Sequence, residues 1–323
     1  MFETNNIEIW HIYISSIVIS SLVAITMPAY ESVIPLTVKE DELISANSLT
    51  ELTLSVTTIL GPAMAGGLIS ILGADTGILL NGIAFLIAGI IFSQVRLKEI
   101  PQSSSSNNVR ELLRFFNDGL SYSVKHPLIK WGIFMSTSNN LILGAYAAML
   151  IYYMRDDIGL NASFTGAVIA ITGIASAITS AFIAPQLSKK VRKGITMICS
   201  LGLFGVVLVG LSNNLILLII GQSLYVGSVT LFQINWYSLR QSITPKDYLG
   251  RVSGACRGIA YFGASIGSFL GGFLLKKISV ANLFLINGSL VVLIAFIAMI
   301  SKLRYTDTVE DFHTAETTEV HKL

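Results

Sequence analysis

Residues 215–239 read LILLIIGQSLYVGSVTLFQINWYSL, an uncharged run of apolar and small residues that decides the fold. A hydrocarbon core of roughly 30 Å takes about 20 such residues of helix, so this run is long enough to cross a membrane. Backbone polar groups in lipid must bond within their own segment, which favours helices over open strands. The sequence therefore predicts a membrane-spanning helix here.

Eight further runs of this kind occur along the chain, and within all nine only Arg257 carries a formal charge. The sequence thus predicts an all-α membrane protein, a polytopic helical bundle of nine spans. In chain order the predicted spans are 9–27, 52–73, 76–95, 131–154, 164–187, 195–212, 215–239, 252–275 and 279–300.

The composition agrees with a lipid environment. Hydrophobic residues make up 53% of the 323 residues and charged residues 12%, and the mean hydropathy is +0.70. Too little polar surface is available for a water-soluble enzyme of this size. The net charge of +2 gives no basic footprint for nucleic acid. Cys199 and Cys256 lie in apolar runs, without the spacing of a zinc site or a disulfide framework, so we expect no metal.

The basic residues between the spans indicate an orientation. If the N-terminus of this chain lies outside, 17 Lys and Arg fall in inner loops and the tail, and three fall in outer segments. Short cytoplasmic loops collect Lys and Arg, so we expect the N-terminus outside and the C-terminus in the cytoplasm. Residues 1–8 contain no Lys or Arg. This absence disfavours a signal peptide.

An internal repeat relates the two ends of the chain. A shift of 206 residues lays spans one to three on spans seven to nine, with Gly61 on Gly267 and Glu51 on Arg257. Spans four to six have no such counterpart. Helical repeats are the usual build of secondary transporters. We therefore expect a protein of two six-helix halves whose first three helices this chain lacks, through truncation or a misplaced start; a genuine nine-span protein is the alternative.

Five stretches carry a family resemblance: Pro28-Ala29 through Ile34-Pro35, LISANSL at 43–49, ILGPAMAGGL at 59–68, GLSYSVKHPLIK at 119–130 and LGRVSGA at 249–255. They resemble the major facilitator superfamily, specifically its bacterial drug, macrolide and enterobactin exporters. The resemblance implies helices four to twelve of a twelve-helix fold. The implied parts are the second half of an N-terminal six-helix bundle (1–98), a cytoplasmic linker with an amphipathic helix (99–130), the C-terminal six-helix bundle (131–304) and a disordered tail (305–323).

The stretch GPAMAGG at 61–67 resembles the antiporter motif of drug/proton antiporters, although its paired glycines stand one place later than in that motif. A Gly-Pro step lets a helix bend, and small residues let neighbouring helices approach closely. Both close packing and a gating hinge fit this chemistry. The resemblance implies a proton gradient as the energy source and no cofactor. The motif residues are Gly61, Pro62, Gly66 and Gly67.

Polar and aromatic residues concentrate in spans one, four and seven. Such side chains are expensive in lipid and tend to face a cavity, and helical spacing places them on stripes. In the resembled family these helices line the central cavity. Each residue could instead contact another helix or belong to an interfacial aromatic belt. The expected substrate-cavity residues are Tyr13, Asn139, Tyr146, Gln222, Tyr225, Gln233 and Trp236.

Three charged residues near the inner ends of the spans have predicted roles. Glu31 is expected at the inner mouth, either as a proton or cation coupling site or as a solvated helix end. The resemblance implies an inner charge latch between Glu51 and a basic loop, and an unpaired Arg257. Snorkelling of Glu51 and Arg257 to the headgroups is the alternative. The basic loop residues of the latch are Lys189, Lys190, Arg192 and Lys193.

These patterns predict a secondary-active transporter of the bacterial plasma (inner) membrane, a monomer that exports small amphipathic compounds of the drug or macrolide type by alternating access. Its partners are a small-molecule substrate and the lipid bilayer. The alternatives are a siderophore or metabolite exporter, and a truncated non-functional or regulatory membrane protein. A membrane enzyme would need a nucleophile with its base, or a metal set, at membrane depth. The spans contain no such constellation, so we expect no catalytic residues.

Overall fold

The computed structural model describes residues 9–94, 109–201, 204–301 and 304. Within these ranges the chain is helical and contains no strand, which confirms the predicted fold class. The serine-rich part of the linker at 103–108 and the tail at 305–323 lie outside the described residues.

Eleven α-helices form the described part of the chain. They are α1 (Ile9–Thr37), α2 (Leu43–Ser93), α3 (Val109–Lys125), α4 (Pro127–Tyr152), α5 (Ala162–Ile178), α6 (Ala184–Leu187), α7 (Lys193–Leu201), α8 (Gly205–Gly210), α9 (Leu215–Ile243), α10 (Leu249–Leu274) and α11 (Val280–Met299). Single wide turns of the π type continue α4 over Tyr153–Asp157 and α5 over Thr179–Ile183.

Several helices begin where the sequence supplies a capping group. The side chains of Asn161 and Asn214 accept hydrogen bonds from backbone N–H groups three residues later, both at 2.9 Å, at the starts of α5 and α9. Ser279 caps α11 in the same way. These bonds satisfy backbone donors that the first helical turn leaves open. The N-terminal ends of these three helices are therefore set by local chemistry.

Helix length and hydropathy identify six candidate membrane spans in the described part of the chain, so the predicted count of nine is not reproduced. The six are Ile17–Thr37, Glu40–Gly61, Phe164–Leu187, Lys193–Gly210, Leu215–Ile243 and Val280–Met299. The predicted spans four and eight correspond to α4 and α10, which are 26-residue helices. Their Ser, Asn and Gly residues lower their hydropathy, and the two helices pack closely on one another.

Spans two and three form one continuous helix, α2, of 51 residues. The sequence predicted a break at 74–75, but the backbone passes through Ala74 and Asp75 without leaving the helix. Alanine is the best helix former and one aspartate costs well under about 1 kcal/mol. No proline stands at this point to force a turn.

Helices α4 and α10 meet through glycines. A Cβ atom added at Gly267 would collide with the carbonyl group of Leu141, and one at Gly263 would lie 2.9 Å from the carbonyl oxygen of Thr137. Gly144 of α4 approaches the backbone of Ala264 in the same manner. Small residues let two backbones come together in a membrane, where packing rather than hydrophobicity drives association. The glycine series of α10 therefore builds this contact.

The amphipathic helix α3 packs against the start of α10. Asp118 of α3 lies 3.8 Å from the guanidinium of Arg251, which also stacks over the Phe115 ring at 4.3 Å. Tyr122 stacks on Tyr248 with ring centroids 5.2 Å apart. Burial and the neighbouring Tyr248 raise the pKa of Tyr122. These contacts attach α3 to the start of α10.

Candidate functional site

An open cavity of ≈ 430 Å³ lies among α2, α4, α5 and α9. Drug-sized ligands occupy pockets of roughly 300–1,000 Å³, so this cavity has the volume of a small-molecule site. Leu54, Thr58 and Ile151 on its rim are exposed. The lining residues are Glu51, Leu54, Ser55, Thr58, Leu143, Tyr146, Ala147, Leu150, Ile151, Ile169, Thr172, Gly173, Ser176, Gln222, Tyr225, Val226, Val229, Thr230 and Gln233.

Four of the expected cavity residues lie together in this wall. Tyr146 of α4 donates a hydrogen bond from its hydroxyl to the side-chain carbonyl of Gln222 on α9. The Tyr225 ring meets the Tyr146 ring edge-on, with centroids 4.9 Å apart. Gln233 lies farther along the same face of α9. Helical spacing on α9 therefore places Gln222, Tyr225 and Gln233 on one side of the cavity.

The other three expected residues lie elsewhere. Tyr13 is 65% exposed on α1, and Trp236 is 2% exposed in the core, where its ring lies against Gly132. Asn139 lines a second hollow of about 10 Å³, which it shares with Tyr225. A stripe drawn at a fixed 100° per residue does not fix how a helix such as α1 is rotated in the bundle. Asn139 and Trp236 share the helical faces of Tyr146 and Gln233, but they lie at other levels along α4 and α9, outside the cavity lining.

A polar ladder runs along α2 beside the cavity, on residues Asn47, Glu51 and Ser55. Their spacing of four residues places them on one face. The Asn47 amide donates to the hydroxyl of Ser238 at 3.0 Å and to the side-chain carbonyl of Gln241 at 2.7 Å, both on α9.

Ser55, the third residue of the ladder, contacts α5. The Ser55 hydroxyl bonds to that of Ser176 at 2.7 Å, and Ser176 bonds to Thr230 at 2.7 Å. Three helices, α2, α5 and α9, are thus tied together by hydroxyl groups along one wall of the cavity.

A buried ion cluster joins α1 to α9 and α10 next to this ladder. One carboxylate oxygen of Glu31 lies 2.5 Å from the Arg240 guanidinium and also accepts from Ser253, while the other oxygen pairs with Arg257. Gln241 donates to the backbone carbonyl of Glu31 at 3.0 Å. Glu31 is 5% exposed. Of its two predicted roles, a coupling site or a solvated helix end, the second is therefore wrong.

The environment of Arg257 differs from the prediction that it would be unpaired. Glu31, 226 residues earlier in the chain, supplies its acid, and the Tyr261 hydroxyl accepts a second hydrogen bond from it at 2.6 Å. The sequence predicted an unpaired Arg257 because the repeat aligns this residue with Glu51, whose own expected partners lie in a loop of the opposite half. In the structure α1 crosses α10 and places Glu31 within reach of Arg257.

The predicted latch between Glu51 and the basic loop is also not found among the described residues. Among the residues that the structure describes, Glu51 forms no ion pair with Lys189, Lys190, Arg192 or Lys193. Ion pairs in the described part include those of Arg240 and Arg257 with Glu31, and that of Arg251 with Asp118. Glu51 is 8% exposed and lies on the cavity wall. Its place on α2 makes it part of the cavity lining, together with residues of α9.

The motif at 61–67 lies within the uninterrupted helix α2. A Cβ atom added at Gly61 would meet nothing within 4 Å. The side-chain surroundings of Pro62, Gly66 and Gly67 lie outside what the structure describes, so the packing and hinge interpretations both stay predictions.

Three further residues belong to this site and were not predicted from the sequence: Arg240, Asn47 and Gln241. A signal for Arg240 was available, because Gln233, Trp236 and Arg240 follow one another at the i, i+3, i+7 spacing of a single helical face. Arg240 is the first residue past 239, the end that hydropathy assigns to the predicted span. Asn47 had no comparable signal, since an isolated amide near a helix end is as common outside a functional site as within one.

The sequence and fold are similar to those of known proteins. The MFS_3 family, described as transmembrane secretion effector, matches residues 2–321. An uncharacterized MFS-type transporter of Bacillus subtilis (strain 168), YfiS, is 24% identical over 310 residues, which cover 91% of this chain and 72% of the relative. The crystal structure of a bacterial homologue of the iron transporter ferroportin in the outward-facing state has a TM-score of 0.70 at 19% identity, over 92% of this chain and 75% of that one. At this identity the likeness shows the fold alone.

Proposed function

This chain belongs to the MFS_3 family of membrane transporters, and we propose from that premise that it exports small amphipathic compounds from a bacterial cell. The family is one of transporters rather than enzymes. The drug or macrolide type of substrate, the direction of transport and the proton gradient as energy source are parts of the proposal.

The observation that carries the proposal is the cavity among α2, α4, α5 and α9. Its wall is mainly apolar, with Leu, Ile and Val side chains from all four helices. A few polar residues, including Gln222, Gln233, Tyr146 and Tyr225, interrupt that wall. An apolar wall with a few convergent polar groups suits a ligand with a hydrophobic body and one or two hydrogen-bonding groups.

Contacts between two parts of the chain beside the cavity support alternating access. We propose that α1 and α2 belong to one six-helix half, residues 1–98, and that 131–304 form the other, with the linker at 99–130 between them. The Glu31 cluster and the Asn47 hydrogen bonds join these two parts beside the cavity. Rocking of one half against the other about a central site would break and remake these contacts.

Transport by the full chain in liposomes tests the proposal. A panel of fluorescent amphiphiles that differ in charge is loaded, a pH gradient is imposed, and flux is compared with that of protein-free liposomes. We expect gradient-dependent flux of at least one amphiphile. We also expect Gln233→Ala to change relative rates within the panel by about tenfold, the size of a typical pocket contact.

Ile216→Ala is the matched control, because Ile216 lies on the same helix and is 72% exposed. It should leave every rate within about twofold. Flux of a catecholate siderophore alone would favour the siderophore exporter. If no amphiphile moved faster than through protein-free liposomes, the proposed function would be wrong. If amphiphiles moved but the two variants behaved alike, the placement of the substrate in this cavity would be wrong.

A further inference from the structure

Glu51 is the one carboxylate among the described residues that line the cavity, and the lining contains no Lys or Arg. It lies one helical turn beyond Asn47 on α2. Leu54 and Ser55 follow it along the wall. The cavity therefore presents a single acidic group in a wall that is otherwise neutral.

The carboxylate of Glu51 has no partner in the described part of the chain. It is 8% exposed, and no hydrogen bond or ion pair of its carboxylate oxygens is formed with a described residue. The charged groups close enough to influence it are Glu31 and Arg257. Arg257 is already paired with Glu31, which also holds Arg240. A buried carboxylate without a partner is costly when ionised, and a cation beside it would offset that cost.

The remainder of the wall suits the rest of such a cation. The Tyr146 and Tyr225 rings meet edge-on within the lining, and aromatic faces attract organic cations. Leu143, Leu150 and Val229 supply apolar surface for a hydrocarbon body. Glu31, the other buried acid of this region, is taken up by two arginines and a serine, and it is not among the lining residues.

We propose that the cavity selects amphipathic organic cations, whose positive group pairs with Glu51 while the apolar body lies against α4 and α9. This inference rests on the proposed function, because it names the substrate class of the same cavity. Glu31 is then a structural residue that joins the two parts of the protein, and Glu51 is the residue that recognises charge.

Two probes of the same shape and opposite charge test the inference directly. Binding of tetraphenylphosphonium and of tetraphenylborate to the full chain in nanodiscs is measured by equilibrium dialysis, with empty nanodiscs subtracted. We expect the phosphonium to bind at least tenfold more tightly than the borate. Glu51→Gln, which keeps the side-chain volume, should weaken phosphonium binding by at least tenfold.

Two further variants separate recognition from folding. Glu51→Asp keeps the charge and should retain phosphonium binding within about fivefold, whereas a merely structural role would respond to the shortened side chain as well. Glu40→Gln removes an exposed acid from the 3-10 turn just before α2, and it should leave binding unchanged. Thermal unfolding of each variant shows that the fold is kept.

The outcomes distinguish this inference from the proposed function. If Glu51→Gln bound phosphonium as tightly as the unchanged protein, or if both probes bound equally well, charge selection by Glu51 would be overturned. Export of neutral or anionic amphiphiles in liposomes would then still stand on its own. If neither probe bound and no amphiphile were exported, both proposals would fail together.

Discussion

Replacing Glu31 by Gln is the sharpest perturbation of the ion cluster. The change keeps the shape of the side chain and removes the charge that two arginines share. The side chains of Arg240 and Glu31 are 4% and 7% exposed, and that of Arg257 is 17% exposed. In Glu31→Gln the Arg240 guanidinium would be left buried without its counter-ion, while Arg257 could turn partly to solvent.

The expected loss of stability follows from these exposures. Removing one partner of a buried ion pair typically costs about 3–5 kcal/mol. Most of that loss should come from Arg240, since the partly exposed Arg257 is screened. The Gln carbonyl can still accept one hydrogen bond, so we expect the lower end of the range, about 3 kcal/mol. Chemical denaturation of the full chain in detergent measures the change in free energy of unfolding.

Asp118→Asn provides the control, because it removes the charge from an ion pair of a different kind. Asp118 and Arg251 are 41% and 26% exposed and 3.8 Å apart, and such surface pairs contribute about 0–1 kcal/mol. A double-mutant cycle with Arg240→Gln should show coupling of at least about 1 kcal/mol between Glu31 and Arg240. The reasoning is refuted if Glu31→Gln destabilises no more than Asp118→Asn does, or if the cycle shows no coupling.

Two further predictions concern packing and topology. Gly267→Ala should destabilise the protein by about 1–3 kcal/mol because its Cβ would collide with the α4 backbone. Gly272→Ala is the control: a Cβ there would meet nothing within 4 Å, so this change should be neutral or stabilise α10 by up to about 1 kcal/mol. If the denaturation midpoints of both variants moved together, the close contact at Gly267 would be contradicted. Single cysteines at Ser104 and Asn161, in a chain otherwise without cysteine, should react from opposite sides of the membrane, Asn161 from outside. Labelling of both by an impermeant maleimide in intact cells would contradict the orientation predicted from the basic residues.

The helices could be predicted from the sequence because their signal is local. Runs such as 215–239 and 279–300 are long, apolar and uncharged, and each corresponds closely to a helix, α9 and α11. The division of 52–95 into two spans could not be read in this way. Two small residues such as Ala74 and Asp75 are compatible with a turn and equally with the continuous helix α2.

The candidate site could be predicted only where one helix carries several of its residues. Gln222, Tyr225 and Gln233 share a face of α9, so spacing alone brings them together. The partner of Arg257 could not be found by spacing, since Glu31 is 226 residues away and the pairing depends on how α1 crosses α10. The sequence predicted an unpaired Arg257, because the repeat relates this residue only to Glu51, and sequence correspondence between two positions does not show which residues each of them contacts.

Protection of a cavity cysteine by a bound amphiphile tests most directly whether the transported compound binds among α2, α4, α5 and α9. Gln233→Cys is introduced into a chain whose own cysteines are replaced, and its maleimide labelling rate is measured with and without tetraphenylphosphonium. We expect labelling to slow by at least fivefold at saturating probe, and Asn213→Cys, exposed just before α9, to react at the same rate throughout. Equal labelling of the Gln233→Cys chain with and without a probe that the protein demonstrably transports would contradict the account, because the substrate would then pass by another route.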